Sequence, residues 1–275
     1  MQSYQMQVQE AAQYLGRHVA AADIGILTGT GLGESIDALA VTTAFEYQEI
    51  PHFPVSTVQS HYGKLVAGVL HGQSVLAMQG RFHLYEGYGP LEVTFPIRVM
   101  QAMGVHTLIL SNASGGINLD FTAGDIMMIA DHINMTGENP LIGPNIDDWG
   151  PRFPDMLNVY DPGLMRIAEE TARQQGFSLQ KGNYVGLKGP CLETPAETRF
   201  FRQIGGSAVG FSTVMEAIAG AHAGMRILGL STITNINDPD NPEPATVEGI
   251  IEVAGRAAPR HARIIESIAL QGGQP

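Results

Sequence analysis

The segment from Gln79 to Tyr88 places a guanidinium, an imidazole, a phenol and a carboxylate directly after an apolar run that predicts a strand. These groups belong to Arg81, His83, Tyr85 and Glu86. The planar guanidinium of an arginine presents paired donors that fit a phosphate, and a histidine can add a further donor. Tyrosine and glutamate can hold sugar hydroxyls or orient the histidine. An ordinary polar loop is the alternative, since structural ion pairs also cluster in this way.

A glycine-rich turn lies upstream of this segment. Gly29-Thr30-Gly31-Leu32-Gly33 follows a buried strand predicted over 23–28. Such a turn exposes backbone N–H groups to an anion, and the hydroxyl of Thr30 adds a donor. No Gly-Lys-Ser/Thr follows, which excludes a Walker loop, and the third glycine and downstream acidic residue of a dinucleotide fingerprint are missing. Taken alone, the pattern is more typical of a tight turn.

A second stretch of small residues, Ser111-Asn112-Ala113-Ser114-Gly115-Gly116, follows the apolar run 107–110. Small residues at the end of a central strand allow a ligand to approach the backbone closely. A tight turn between strand and loop explains the glycines but leaves Asn112 without a reason. We therefore treat this stretch as a candidate binding segment.

The third segment, residues 189–198, holds Glu193 immediately before a predicted helix start. Thr194-Pro195 followed by Glu197 is typical of a first helical turn. Glu193 is therefore either a carboxylate that caps this helix or an acceptor for the N–H groups of a ligand. The residue pattern leaves both interpretations open.

Taken in order along the chain, these segments resemble the trimeric purine nucleoside phosphorylase family. Several motifs in the family's order are far more specific than any one of them. The resemblance covers nearly the whole chain and implies a single α/β domain, with a twisted, mixed, mostly parallel sheet flanked by helices, assembled as a homotrimer. The matching motifs are Gly29–Gly33, Ser60-His61-Tyr62-Gly63, Gly80–Tyr88, Asn112–Gly116, Gly189–Thr194, Val209–Thr213 and Thr234-Asn235.

The resemblance implies reversible phosphorolysis of purine (deoxy)ribonucleosides, with 6-oxopurines such as those of inosine and guanosine preferred. Inorganic phosphate is then a co-substrate, and no cofactor or metal is expected. The implied phosphate-binding residues are Thr30, His61, Arg81, His83, Ala113 through its backbone, and Ser212. The implied nucleoside-binding residues are Tyr85, Glu193, Phe211, Asn235 and Trp149.

Four of these residues, counting Glu86, have implied catalytic roles. Asn235 donates near N7, where negative charge accumulates on the departing purine, and Glu193 accepts from the N–H groups of a 6-oxopurine. Glu86 orients His83. Trp149 lies where family members carry an aromatic residue that reaches the neighbouring subunit's site, and the alternative is an ordinary core or surface aromatic.

The chain departs from the family pattern near the sugar. Leu192 stands where many relatives carry an aromatic, and an ungapped alignment puts Glu248 where some carry a histidine for the ribose 5′-hydroxyl. Residues 247–251 also resemble the apolar 5′ pocket of methylthioadenosine phosphorylases, so a 5′-methylthionucleoside phosphorylase is the alternative. That family pairs two aspartates where this chain has Asn235 and Asn237, which favours 6-oxopurines here.

Two other classes of protein are weaker alternatives. A nucleoside-binding protein without catalysis would need no phosphate cluster. A nucleoside hydrolase is expected to show an aspartate-rich calcium site near its N-terminus, and the sequence contains none. The nine histidines lack the HExxH or HxxxH spacing of a metal site.

The composition predicts one domain over residues 1–275, since 44% of the 275 residues are hydrophobic and no linker or repeat interrupts the chain. The net charge of −12 and the absence of a basic run argue against nucleic acid and anionic membranes as partners. The single cysteine, Cys191, excludes an internal disulfide and predicts a reducing, cytoplasmic location. We find neither a signal-peptide pattern nor an apolar run of membrane-spanning length.

Predicted strands alternate with predicted helices, which favours a mostly parallel sheet between helices. Residues 64–70 and 74–78 predict a hairpin, and Pro96 is expected to shift or kink the helix predicted over 91–103. Residues 139–152 are predicted to be irregular. The remaining strands are predicted over 107–111, 125–130, 184–187 and 226–234, and the remaining helices over 6–20, 162–175, 196–204, 214–223 and 246–270.

Overall fold

The structure, a computed structural model, describes residues 2–57 and 63–271. Its helices are α1 (Gln2–Gly16), α2 (Pro90–Val93), α3 (Phe95–Ala102), α4 (Pro162–Gln175), α5 (Pro195–Gln203), α6 (Val214–His222) and α7 (Val247–Gln271). Its strands are β1 (Ile24–Thr28), β2 (Ala40–Glu46), β3 (Lys64–Leu70), β4 (Gln73–Gln79), β5 (Thr107–Gly116), β6 (Ile126–Asn134), β7 (Gln180–Gly186), β8 (Ala208–Gly210) and β9 (Arg226–Ile236).

All strands of the described chain belong to one mixed sheet in the order β2-β3-β4-β1-β5-β8-β7-β6-β9. An additional pairing of β5 with β9 closes the second half of this sheet into a ring of strands. The pairs β1–β4, β1–β5, β5–β9, β6–β7 and β7–β8 are parallel, and the other pairs are antiparallel. The predicted mixed α/β fold is confirmed.

The composition of the central strands follows from their burial. Every residue of β1 is buried, and so are residues 107–112 of β5 and residues 227–234 of β9. Strands that are covered on both faces are rich in aliphatic side chains rather than alternating between apolar and polar. The core of the sheet therefore holds the strands whose ends form the site described below.

Helix α4 begins and ends at recognisable capping residues. In α4 the carboxylate of Asp161 accepts from the N–H of Leu164 at 2.7 Å, and Gly176 adopts a left-handed φ of 76° just after the last turn. Pro96 has the predicted effect, because the helical stretch divides at Thr94 into α2 and α3. Helix α1 differs from its prediction, since it ends at Gly16 rather than near Ala20.

Two strands of the structure were not predicted from the sequence. β2 is an edge strand on which only Phe45 is buried, so no apolar face marks it, and β8 has three residues. A third difference concerns β5, which continues through the small residues to Gly116 because β9 pairs with it along its whole length. The predicted loop at 111–116 is therefore the end of a long strand.

In the part of the chain that the structure describes, no helix is long and apolar enough to cross a membrane. Within the same residues, no group of three or more histidine, cysteine or acidic side chains could hold a metal ion.

Candidate active site

The site lies at the edge of the sheet where parallel strands end together. The parallel pairings of β4 with β1, β1 with β5, and β5 with β9 bring four strand ends to one edge. Gly29 and Arg81 come just after β1 and β4. Ala113 and Asn235 lie near the ends of β5 and β9. Ligands of open α/β sheets bind outside the carboxyl ends of the strands, so the topology itself predicts a binding site at this edge.

The glycine-rich turn after β1 is packed between β5 and the last helix. A Cβ on Gly29 would lie 2.8 Å from the Cα of Asn112. Gly31 has a φ of +73°, and a Cβ there would lie 2.8 Å from the carbonyl oxygen of Ile251 in α7. The turn therefore needs glycine for both its conformation and its close packing. It borders a cavity of about 260 Å³ that Gln79, at the end of β4, also lines.

Arg81 is almost fully buried, and its guanidinium is held by the protein itself. Nη1 lies 3.1 Å from the hydroxyl of Ser212 and 3.2 Å from that of Thr213. Nη2 donates to the carbonyl oxygens of Leu27 at 3.1 Å and Ser111 at 2.7 Å. The guanidinium therefore positions Ser212 and supplies positive charge behind it, rather than extending a paired fork into an open space.

A buried polar network supports this arrangement from below. The amide nitrogen of Asn112 donates to the hydroxyl of Thr213 at 2.8 Å, and its oxygen accepts from Ser231 at 2.5 Å. Ser231 and Ser114 are 2.6 Å apart through their hydroxyl oxygens. Thr213 has a φ of 74°, which is rare for a β-branched residue and is typical of functional turns. The network explains Asn112, and it fixes the turn that presents Ser212.

Glu86 fixes the orientation of His83. One carboxylate oxygen of Glu86 lies 2.9 Å from Nδ1 of His83 and accepts from the backbone N–H of His83 at 2.8 Å. The other accepts from the N–H and hydroxyl of Thr57 at 2.7 and 2.6 Å. Burial acts to raise the pKa of Glu86, but the hydrogen bonds from His83 and Thr57 outweigh it and lower the pKa to about 2. The predicted orienting contact is present.

A row of aromatic rings extends from His83 through Tyr85 to Phe211. The ring of Tyr85 stacks on that of His83 with centroids 4.6 Å apart, and it meets the ring of Phe211 edge-on at 6.1 Å. Burial raises the pKa of Tyr85 to about 12, so its hydroxyl remains a donor throughout the neutral range. Phe211 in turn packs against Gly189, where a Cβ would lie 3.0 Å from the ring.

Glu193 does not cap α5. The cap is Thr194, whose hydroxyl accepts from the N–H of Glu197 while the Glu197 carboxylate accepts from Thr194. The carboxylate of Glu193 instead accepts from the amide nitrogen of Asn237 at 2.9 Å. Burial raises the pKa of Glu193, and the Asn237 hydrogen bond opposes that rise. The capping interpretation is therefore wrong, and the carboxylate faces other polar side chains.

Glu193 and Phe211 border a cavity of about 270 Å³. The volume is close to the lower end of the range for small-molecule sites, about 300 Å³. The cavity is lined by the predicted residues Ala113, Glu193, Phe211 and Asn235, by Gly115, Leu192, Asn237 and Asp238, and by an apolar wall that includes Pro242, Pro244, Ala245 and Ile250. Four predicted residues from distant parts of the chain thus share one cavity.

The chain is similar to known proteins over almost its whole length. The family model of the phosphorylase superfamily matches residues 23–269. The chain belongs to this superfamily. Purine nucleoside phosphorylase 1 of Bacillus subtilis (strain 168) is 47% identical over 265 residues, which cover 96% of this chain and 98% of that protein. The predicted relation to the purine nucleoside phosphorylases is confirmed.

Further phosphorylases are similar over most of their length. The purine nucleoside phosphorylase of Bos taurus is 46% identical over 258 residues, covering 91% of this chain and 89% of its own. The crystal structure of isoform 2 of the enzyme from Schistosoma mansoni, in complex with cytosine and ribose-1-phosphate, has a TM-score of 0.92 at 38% identity. That alignment covers 97% of this chain and 96% of the other.

Four of the predicted site residues line the cavity of about 270 Å³, whereas other described ones do not, namely Thr30, Arg81, His83, Tyr85, Glu86, Trp149 and Ser212. His61 lies outside the described residues. Trp149 packs within its own chain, since its ring meets that of Tyr4 edge-on at 5.8 Å and the guanidinium carbon of Arg98 lies 5.0 Å from its centroid. In the same segment, Phe153 is 86% exposed. This segment therefore carries an exposed aromatic side chain at Phe153, while Trp149 contacts its own chain.

Two polar residues of the phosphorylase site were not predicted as such. Thr213 follows Ser212 directly, but its contact with Arg81 depends on a left-handed backbone that the sequence does not reveal. Asn237 lies two residues beyond Asn235, and the alternation of strand side chains was the available signal that both face the same side. Glu248, aligned with a histidine of some relatives, does not line the cavity, whereas Ile250 does.

Proposed function

We propose that this chain catalyses the reversible phosphorolysis of purine nucleosides, giving free purine and (deoxy)ribose 1-phosphate. The proposal is carried by one juxtaposition. The anion-binding group around Arg81 and Ser212 and the polar pair of Glu193 and Asn235 lie at the same sheet edge, with Ala113 between them. A ligand with phosphate at one end and a base at the other matches this order, and relatives named for the activity align over nearly the whole chain.

Three charges must be stabilised during the reaction: those on the phosphate, on the sugar and on the departing purine. The C1′–N9 bond breaks with its electron pair going to the purine, and an oxygen of phosphate forms the new bond to C1′ from the opposite face. Phosphate therefore supplies negative charge next to the cationic sugar. We assign its binding to Thr30, His61, Arg81, His83, the backbone of Ala113 and Ser212. Negative charge that develops on the purine needs a donor that is already in position, and this is the role of Asn235.

Neighbouring side chains position the sugar. The hydroxyl of Tyr85 is assigned to the ribose, since its ring lies between His83 and Phe211. Because Glu86 holds Nδ1 of His83 at 2.9 Å, the imidazole has one orientation before any ligand arrives. Preorganised donors of this kind cost no reorganisation during the reaction.

Selectivity for 6-oxopurines is assigned to Glu193. Its carboxylate can accept from the N1–H of hypoxanthine or guanine and from the 2-amino group of guanine. Adenine has an unprotonated N1, so two acceptors would face each other in a half-buried cavity. A site built to hydrogen-bond a substrate N–H strongly rejects the analogue that lacks it.

The test is the cleavage of inosine with and without phosphate. We expect cleavage only with phosphate, and ribose 1-phosphate as the product. Equal rates in phosphate-free buffer would instead identify a hydrolase, and binding without turnover would identify a nucleoside-binding protein. Replacing Glu193→Gln is expected to lower inosine and guanosine turnover and to change adenosine turnover little. Wild-type adenosine turnover equal to that of inosine would overturn the base assignment.

A second candidate substrate is a 5′-methylthionucleoside with a 6-oxopurine base. The observation that favours it is the largely apolar part of the lining formed by Pro242, Pro244, Ala245 and Ile250, where Glu243 is the charged residue. Such a wall suits a thioether better than a hydroxyl, which would lose hydrogen bonds with water on burial. A comparison of kcat/KM for 5′-methylthioinosine and inosine distinguishes the two substrates.

We also propose a homotrimer in the cytoplasm that needs no cofactor besides its phosphate co-substrate. The exposed side chains of Phe153 and Ile142 support a site shared between subunits, because both border one cavity and contiguous exposed apolar surface is typical of contacts between proteins. In this proposal Phe153 takes the role that the sequence prediction gave to Trp149.

A further inference from the structure

The base-facing wall of the cavity contains a third polar residue between Glu193 and Asn235. The amide nitrogen of Asn237 donates to the carboxylate of Glu193 at 2.9 Å. Its amide oxygen accepts from the amide nitrogen of Asn235 at 2.6 Å. Asn237 therefore contacts both residues that the proposed function assigns to the purine.

The contact with Asn237 determines which way round the amide of Asn235 is held. The oxygen of Asn235 lies 3.1 Å from the hydroxyl of Thr234, which in turn lies 3.1 Å from the carbonyl oxygen of Ser114. One N–H of Asn235 is used by Asn237. An amide nitrogen carries two N–H groups, so a second donor remains for a ligand. A flipped amide would place oxygen against oxygen at Asn237.

The same residue acts on Glu193. Burial and the nearby carboxylate of Glu197 raise the pKa of Glu193, while the hydrogen bond from Asn237 lowers it. A donor to a carboxylate favours its charged form. Asn237 therefore helps Glu193 to remain an acceptor, which is the state needed to recognise an N–H group.

The backbone reserves space for this amide. Gly115 pairs with Asn235 across β5 and β9, at a register shift between the two strands. A Cβ on Gly115 would lie 2.7 Å from the amide nitrogen of Asn237. The main chain of Asn237 is fixed as well, since its N–H donates to the carbonyl oxygen of Gly116 at 2.7 Å.

We propose that Asn237 is a positioning residue for base specificity, whose single amide holds Glu193 as an acceptor toward the N1–H of a 6-oxopurine and Asn235 as a donor toward N7. The proposal rests on the proposed function, since it presumes purine bound in this cavity. It adds a residue that acts through two others and couples the two ends of the base.

The experiment compares Asn237→Leu and Asn237→Asp with the wild type on inosine and adenosine. The leucine variant keeps similar bulk and removes both hydrogen bonds, and kcat/KM for inosine is expected to fall about 10- to 100-fold, the range for hydrogen bonds that involve a charged group. The aspartate variant keeps the acceptor for Asn235 but sets a second carboxylate against Glu193. One proton is then shared by the pair, and a protonated Glu193 can donate to N1 of adenine.

The aspartate variant therefore has a specific signature in its pH profile. The acid limb of kcat/KM for inosine is expected to move up by about one pH unit or more. At low pH the adenosine-to-inosine ratio is expected to rise. This ratio does not depend on the fraction of folded enzyme, so partial misfolding cannot imitate it. Asn241→Asp is the matched control, because Asn241 is an exposed asparagine of the same segment, bonded to Asp238 at 2.9 Å.

A double-mutant cycle tests whether Asn237 acts through Glu193. In a Glu193→Gln background, the effect of Asn237→Leu on inosine is expected to shrink, because the carboxylate that Asn237 holds is replaced by a neutral amide, a weaker acceptor that also cannot bind the substrate N–H in the same way. Additive effects in this cycle, or an unchanged acid limb and substrate ratio in Asn237→Asp, would overturn the proposal while leaving phosphorolysis intact. If the wild type itself fails to cleave inosine with phosphate, the proposed function fails instead.

Discussion

Arg81 and Glu216 form a buried ion pair behind Ser212. Nε of Arg81 lies 3.7 Å from a carboxylate oxygen of Glu216, and each side chain is 2% exposed. Among the described residues, neither oxygen of Glu216 accepts a hydrogen bond. The carboxylate therefore serves as the buried counter-charge to the guanidinium that positions Ser212. Arg81 therefore has a structural role in the core in addition to the phosphate-binding role proposed for it.

Removing the buried counter-charge is expected to destabilise the fold. We predict that Glu216→Gln lowers the free energy of unfolding by about 3 kcal/mol, since breaking a buried pair leaves a charge without compensation. Glu252→Gln is the control, because its partner Arg256 lies 2.6 Å away on the exposed face of α7. An exposed pair of this kind contributes less than about 1 kcal/mol. Equal urea midpoints for the two variants would contradict the prediction.

Ser212 is the cleaner probe of phosphate binding. Arg81→Ala removes internal hydrogen bonds as well as charge, so its effect on phosphate cannot be separated from unfolding. We predict that Ser212→Ala raises the phosphate KM about tenfold, the value of one hydrogen bond to a charged group, with a smaller change in the nucleoside KM. Ser207→Ala, whose hydroxyl accepts from the N–H of Asn183 at 3.3 Å, should leave the phosphate KM unchanged. Steady-state kinetics with varied phosphate makes the comparison.

Asn235 is expected to act mainly in the transition state. We predict that Asn235→Ala lowers kcat about 100-fold or more, because its contact strengthens as negative charge grows on the departing purine. The dissociation constant of hypoxanthine is expected to change much less. Single-turnover kinetics and equilibrium binding measure the two effects separately. An unchanged kcat would demote Asn235 to a structural residue.

His261 makes stability sensitive to acid. It is completely buried in α7, its Nε2 lies 2.9 Å from the hydroxyl of Thr232, and burial lowers its pKa to about 3. The unfolded chain binds this proton near the ordinary value of 6.5, so the stability contribution is complete above that pH and is lost as the pH falls towards about 3. The loss has a slope of up to about 1.4 kcal/mol per pH unit.

We predict that His261→Gln removes this part of the pH dependence. The difference in unfolding free energy between wild type and variant should shrink steadily as the pH falls below 6.5. Glu86 does not contribute to the pH dependence of stability between pH 6.5 and about 4.5, because its lowered pKa affects stability only below about 4.5. Parallel stability curves for the two proteins would show that His261 does not contribute.

Substitution of Phe153 tests whether the site is shared between subunits. We predict that Phe153→Ala raises the nucleoside KM and leaves the phosphate KM nearly unchanged, because it removes an apolar contact to the sugar or base. Co-expression of Phe153→Ala with Asn235→Ala supplies the sharper measurement. If each site is built from two subunits, mixed oligomers contain sites with both native residues and regain activity. Activity that only matches the average of the two parents would place Phe153 outside the site.

Local signals explain which parts of the fold could be predicted from the sequence. Helix α4 was predicted with both ends correct because Pro162 and Gly176 mark its limits. Strand β2 carried no such signal, since its exposed residues fit a loop equally well. The extension of β5 to Gly116 depends on β9, more than a hundred residues downstream, and no local pattern contains that partner.

Some features of the site could likewise be predicted from the sequence, and others could not. The residue types of Arg81, His83 and Glu193 indicated their chemistry, and the family resemblance added Asn235. The sheet topology explains why the strands that carry or precede these residues end together. The hydrogen bonds and contacts among the site residues could not be predicted from the sequence. The carbonyl partners of Arg81 and the contacts of the Asn237 amide are defined only by tertiary structure, and so is the exposure of Phe153.

The contact between Gly31 and α7 also has a consequence for the order in which the enzyme is completed. Gly29, Gly31 and Gly33 near the start of the chain share a cavity with Ile251 and Gly255 near its end. A growing polypeptide on the ribosome therefore has every strand of the described sheet before it has a finished anion site. Activity is expected only once the last helix has left the exit tunnel and docked on a turn made more than two hundred residues earlier.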